Sequence, residues 1–149
     1  VPMSAFTRDD IVAAARAWLG TPYWHQASLK GVGCDCLGLV RGVWREIVGA
    51  EPEPMRPYSP DWAEAGAGET LIELGERYFH RVASRQWREG DVLLFRFHDG
   101  VSAKHLAIAT GEGRMIHAHD GACVAEVAIG GWRHRVAGVF SFPGLADAE

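Results

Sequence analysis

Apolar residues recur at helical spacing early in the chain, at Ile11, Ala15, Trp18 and Leu19. Thr7 stands at a natural N-cap position, with Asp10 three residues later in a box-like place. The pattern predicts a helix over 8–19, stopped by Gly20 and kept from continuing by Pro22. A loop with several glycines follows, from Thr21 to Gly33. A second apolar stripe, Leu37, Val40, Trp44, Ile47 and Val48, predicts a helix over 36–48, with Arg41, Arg45 and Glu46 off the stripe. Asp35 precedes it, where a carboxylate favours the helix dipole. Leu71, Leu74, Tyr78 and Val82 predict a third helix from Glu69 to about Arg85. Pro52, Pro54, Pro57 and Pro60, four of the seven prolines, mark 49–68 as an irregular loop.

Beyond residue 90 the period changes from helical to alternating. Segments 91–97, 104–110, 114–119, 122–127 and 136–142 read as strands, punctuated by Asp99-Gly100, Gly111–Gly113, Asp120-Gly121 and Gly130-Gly131. Helices first and strands afterwards predict an α+β fold, its N-terminal helices packed on one face of an antiparallel sheet of about five strands. The chain has 149 residues, no internal repeat and no low-complexity tract, and reads as one domain over 1–149.

A net charge of −4 offers no strong positive field, which argues against nucleic-acid binding by bulk electrostatics. No apolar run approaches the roughly 18 residues of a membrane span. Residues 1–10 carry neither a basic n-region nor an apolar h-region, so no secretory signal peptide is expected. The expectation is a chain made in the cytoplasm that stays there or leaves by another route. The three cysteines, Cys34, Cys36 and Cys123, are an odd number and make no disulfide framework, leaving at least one free thiol.

Cys36 is the centre of the chemistry, because it falls in the first turn of a predicted helix, where a thiolate is stabilised. A nucleophilic cysteine needs a base, and the base needs an orienter. His105, Ala107 and Ala109 share one face of a predicted strand, and the two alanines leave space where the nucleophile helix could pack. His117 follows twelve residues later, across Gly111-Glu112-Gly113. A hairpin centred there sets 105 and 117 nearly opposite, with Cβ atoms about 4.5–5.5 Å apart. His119 lies on the same face as a spare. Cys34 reads as a bystander or as a resolving partner for oxidised Cys36. The pair Cys34 and Cys36 together with His105, His117 and His119 could also suggest zinc, but C-x-C spacing suits a tetrahedral ion poorly and no second cysteine pair exists. No metal and no cofactor are expected. His119 and His134 read as structural or surface histidines. Arg77, Arg81, Arg85 and Arg88 form a basic ridge, either a solvated face or a contact surface. Trp24 and Trp62, both in loops, are either packed in the core or line a cleft.

Four motifs occur in order: Gly20-Thr21-Pro22-Tyr23, Asp35-Cys36-Leu37-Gly38-Leu39-Val40, His105-Leu106-Ala107-Ile108 and Met115-Ile116-His117-Ala118. Over roughly residues 5–142 the chain resembles the NlpC-type cell-wall peptidases, which are papain-like cysteine peptidases. The variant Asp-Cys-Leu-Gly-Leu-Val-Arg-Gly-Val-Trp resembles the subgroup encoded in tail gene clusters of phages and phage-like gene transfer agents. The resemblance implies Cys36 as nucleophile, His105 as general base and His117 as the third polar group. It implies Tyr23 as an oxyanion donor beside the Cys36 N–H, and Asp35 as a grip on a free substrate amine. It also implies cleavage between D-glutamate and a diamino acid in peptidoglycan stem peptides. Leu37 stands where the family usually has a serine that recognises the amino terminus of the stem peptide, which bears on the bond cut. No separate wall-binding domain is expected. These readings combine into a tail-associated peptidoglycan hydrolase, carried to the wall by a particle and partnered by tail hub or tail-tip proteins. Two alternatives stand beside it, a non-enzymatic tail-hub component that keeps the fold, and an acyl transferase.

Overall fold

Thr7 and Asp10 close a reciprocal capping box. The Asp10 N–H donates to the Thr7 hydroxyl at 3.1 Å, and the Thr7 N–H donates to the Asp10 carboxylate at 2.9 Å. They open α1 (Arg8–Arg16) in a computed structural model that describes residues 5–53, 70–83, 86–119 and 121–146. The helix stops short of the predicted Leu19. Residues 17–20 are turns, Gly20 takes a left-handed φ of 87°, and Leu19 is exposed while Trp18 is buried. The loop after Gly20 contains a short hairpin that alternation could not reveal, β1 (Ser28–Leu29) paired with β2 (Gly33–Cys34).

The second helix, α2 (Cys36–Ile47), matches its prediction to within a residue. It buries Leu37, Leu39, Val40, Val43 and Trp44, a wider face than the predicted stripe. Gly42 lets the turn after α1 approach, because a Cβ there would stand 1.9 Å from the Trp18 ring. The third helix, α3 (Thr70–Tyr78), is much shorter than predicted. His80 and Arg81 become β3 (His80–Arg81), and the Val82 N–H donates to the Val139 carbonyl at 2.8 Å. Pairing with an open sheet edge overrides the helical pattern at Val82. This also breaks up the basic ridge. Arg77 sits on α3 and bonds Glu53, Arg81 lies on a strand and bonds Glu76, Arg88 is in a loop, and Arg85 lies outside the described residues. The 49–68 loop is described only to residue 53, and Trp62 and Asp120 also lie outside.

The remaining strands are β4 (Val92–Phe95), β5 (His105–Gly111), β6 (Arg114–Ala118), β7 (Val124–Ala128) and β8 (Val136–Ser141). A 3-10 segment, Gly130–Arg135, joins the last two. The six-stranded antiparallel sheet runs β3-β8-β4-β5-β6-β7, so β4 to β7 meander and β8 returns to pair with β4. The fold is α+β, as predicted.

The sheet has a core on each face. Leu106, Ile108 and Ile116 join α1 and α2 in the first. Ala107 and Ala109 lie in the second, with Leu93, Phe95, Met115 and Ile129, covered by Trp87 and Trp132. The space expected beside the two alanines is therefore filled by bulky neighbours. The nucleophile helix packs on the opposite face, the one carrying Leu106 and Ile108. Large side chains on the helix face and small ones under a crowded second layer satisfy close packing on both sides.

Candidate active site

The first turn of α2 is built around Asp35. Its carboxylate accepts the Gly38 N–H and the Gln26 N–H, both at 2.7 Å, and the residue is buried. The first bond is an N-cap. The second pins the preceding loop where Gln26 takes a φ of 67°. Nδ1 of His25 lies 3.9 Å from the same carboxylate. Gly38 admits that loop, since a Cβ there would meet the Ala27 carbonyl at 1.9 Å. Asp35 thus aims backbone and thiol, and its oxygens face N–H groups.

Residues 20–24 are laced between two segments. The Tyr23 N–H donates to the Ala122 carbonyl at 3.0 Å, and the Cys34 N–H donates to the Pro22 carbonyl at 3.0 Å. Tyr23 is thereby held beside the start of α2 and packs on the first core. Cys34 is buried in that core, and Cys123 is exposed. Trp24 is exposed and lies against Gly33.

Cys36 is half-buried, with Sγ 4.0 Å from the Lys104 carbonyl oxygen. The β5–β6 pairing begins only at Ile108 opposite Ile116. Nearer the start of β5, the Leu106 N–H is turned to the sulfur. The thiol is therefore set against the backbone on both sides of His105. Burial, with the Asp35 charge second, pushes the thiol up to about 12, against the N–H groups of Leu106, Leu37 and Cys36. A helix-activated thiolate was expected. The resting group is a thiol, because desolvation outweighs the dipole.

Nε2 of His105 lies 2.8 Å from Nδ1 of His117, so the two imidazoles share a hydrogen bond. The register differs from the one the hairpin predicts. With Ile108 opposite Ile116, the pairing line carries 105 towards 119 and 107 towards 117. His117 is a diagonal neighbour of His105, displaced by two residues. A two-residue shift keeps every side chain on its face, so the pair survives. It also brings in His119, which is exposed and stacks on His117 at a centroid distance of 5.5 Å.

Trp132 is the residue the strand pattern missed, since Gly130-Gly131 read only as punctuation. Its ring lies 5.4 Å from that of His105 at a 32° tilt. Phe95 and Phe97 stand on other sides, each 6.0 Å away. Burial among these rings lowers His105 to about 3, and His117 is lowered to about 4 by burial and by His119. Phe97, Trp132, His98 and Arg135 line an open cleft beside this cage. His134 is exposed. Nε2 of His105 is taken by His117, which leaves Nδ1 as its other ring nitrogen. A thiol beside the backbone that flanks a buried imidazole pair supplies the residue types of a nucleophile with a general acid–base partner.

The model of the NlpC/P60 family matches residues 20–141. The chain is 27% identical over 137 residues to the gamma-DL-glutamyl hydrolase of Bacillus subtilis (strain 168), covering 91% of this chain and 29% of that protein. Among solved structures, it matches an NlpC/P60 family protein from Bacillus cereus ATCC 10987 with a TM-score of 0.68 and 22% identity, over 94% of this chain and 41% of that one. It also matches the NlpC/p60 domain of the peptidoglycan hydrolase SagA, with a TM-score of 0.63 and 25% identity, over 92% of this chain and all of that domain.

Proposed function

The chain belongs to the NlpC/P60 family, and from that premise we propose that it is a cysteine peptidase that hydrolyses peptidoglycan stem peptides between D-glutamate and a diamino acid. The observation that carries the reading is the Cys36 thiol set against the start of β5, where His105 is held by His117 at 2.8 Å. The name of the Bacillus subtilis relative, a gamma-DL-glutamyl hydrolase, supports a glutamyl bond as the target.

In this reading Nδ1 of His105 takes the thiol proton as Sγ adds to the amide carbon. The oxyanion is held by the Cys36 N–H and the Tyr23 hydroxyl. His105 then gives its proton to the leaving nitrogen, the C–N bond breaks, and a thioester remains. His105 next takes a proton from water. The hydroxide adds to the thioester, and the departing sulfur recovers the proton, freeing the acid. Asp35 works as a positioning residue for Cys36. Leu37 is buried in the first core, where it lines an apolar pocket with Val40, Leu74 and Phe79. That placement favours a packing role at the position where a serine is usual.

Purified sacculi digested with wild type and with Cys36→Ala test the reading by mass spectrometry of soluble fragments. Fragments newly ending at D-glutamate, absent with the variant, are expected. Equal release by a folded Cys36→Ala protein would overturn it. We also propose delivery by a phage-like tail, supported by the Asp35–Trp44 motif variant. Co-purification with tail particles is expected, and its failure across all tail fractions would count against delivery.

A further inference from the structure

We propose that His105, His117 and His119 form a site for a divalent transition-metal ion of the zinc type, and that occupancy switches the peptidase off. One ligand nitrogen from each of the three lies within 4.8 Å of the others. Zinc–nitrogen bonds of about 2.0–2.1 Å put nitrogens around a tetrahedral ion about 3.3 Å apart. The His105–His117 pair, at 2.8 Å, has to open only slightly. His119 is the exposed member of the three, so the largest adjustment falls on the side chain with the least core packing to disturb. Three imidazoles with a fourth position open is a known zinc ligand set. C-x-C spacing weighs against zinc on Cys34 and Cys36 with these histidines, and the three imidazoles alone need no cysteine.

The pair used for base catalysis requires only His105 and His117. His119 stacks on His117 at 5.5 Å and lies 6.2 Å from the His105 ring, so it supplies the third ligand without belonging to the pair. Trp132 walls all three, 5.4, 5.9 and 6.4 Å from their rings, which excludes water from one side of the ion. The effect on catalysis follows from proton counting. A neutral imidazole has one lone pair and one N–H. Bound to a metal through either nitrogen, His105 keeps its proton on the other and has no lone pair for the thiol proton. No redox change or co-reactant is involved. The inhibitory consequence rests on the peptidase reading above. The binding does not.

Zinc and cobalt titrations of the full chain test the site, with wild type, His119→Ala and Cys36→Ala compared by calorimetry and by the cobalt visible spectrum. One ion per chain is expected for wild type and Cys36→Ala, with affinity in His119→Ala weakened by more than the roughly hundredfold that loss of an outer-shell partner can cost. At a zinc concentration that just saturates wild type, both stem-peptide hydrolysis and alkylation of Cys36 are expected to slow, reversibly with chelator, and His119→Ala is expected to be unaffected. Equal affinity in His119→Ala overturns the site, and so does loss of binding in Cys36→Ala, which would put the ion on the thiolate. Stoichiometric binding with unchanged Cys36 alkylation overturns the switch. A chain that binds zinc but hydrolyses nothing counts against the peptidase reading alone.

Discussion

Burial acts with opposite sign on the two partners of the proposed proton transfer. It raises the Cys36 thiol to about 12 and lowers His105 to about 3, so both are neutral near pH 7. Protonated His105 cannot accept the thiol proton, so kcat/KM falls as pH drops through the values of the histidine pair, which titrates as a unit. The acid limb is expected below the ordinary imidazole value of about 6.5. A midpoint at or above that value contradicts the neutral pair. Trp132→Ala relieves the burial of His105 and should move the limb upward, and an unmoved limb removes Trp132 from the account. The same shift couples to stability. An imidazole lowered in the folded state binds protons more tightly when unfolded, so its contribution is full above about 6.5 and is lost as pH falls towards the folded value. Melting temperature should fall over that window in wild type, and less in His105→Asn. Asp35→Asn keeps a good N-cap and removes the second cause of the raised thiol. The pH midpoint of Cys36 alkylation by iodoacetamide should shift down, only in part, because burial remains. The histidine pair was legible in the sequence because strand period two puts 105, 117 and 119 on one face whatever the even shift. The thiol's state was not, since its surroundings come from Lys104 and Leu106, 68 and more residues away.

Among the elements, α2 does most to place the chemistry, and it leans on two contacts at its start. Gly38 donates its N–H to the Asp35 carboxylate at 2.7 Å, and its carbonyl accepts from the Ser28 hydroxyl at 2.6 Å. Gly38→Ala drives a methyl group into the Ala27 carbonyl and should cost about 1–3 kcal/mol, read from thermal melts. Activity should fall beyond the fraction unfolded, because Cys36 shifts with the turn. Full activity in a destabilised variant would uncouple the cap from the site. Capping chemistry is local, so Thr7 with Asp10 and Asp35 before α2 could be read from neighbours in the chain. The end of α3 could not, because Val82 leaves the helix to pair with Val139, far away in sequence. The two-residue strands β1 and β2 have no room to show alternation.

For the whole molecule, the sheet divides two cores and holds the histidine pair and the thiol on a shared end. Asp91, buried at 1% exposure, ties the layers. It accepts from Arg8 of α1 at 2.7 Å, from the Ser141 hydroxyl of β8 at 2.9 Å and from the Arg88 N–H at 2.9 Å. Asp91→Ala removes a buried carboxylate that the Arg8 guanidinium, the Ser141 hydroxyl and the Arg88 N–H all bond, and should cost about 3–5 kcal/mol, measured by denaturant unfolding. A loss below about 1 kcal/mol would mark the pair as no stronger than a surface one. The order of the sheet was only partly legible. The β4–β7 meander follows from short turns, whereas the return of β8 to β4 and the second core depend on which face the 3-10 segment covers. In the proposed function this fold delivers Cys36 to a stem-peptide amide. Its most direct test is digestion of purified sacculi by wild type and Cys36→Ala, with fragment masses read out. New D-glutamate ends are expected from wild type and none from the variant. Equal release from both proteins would contradict it.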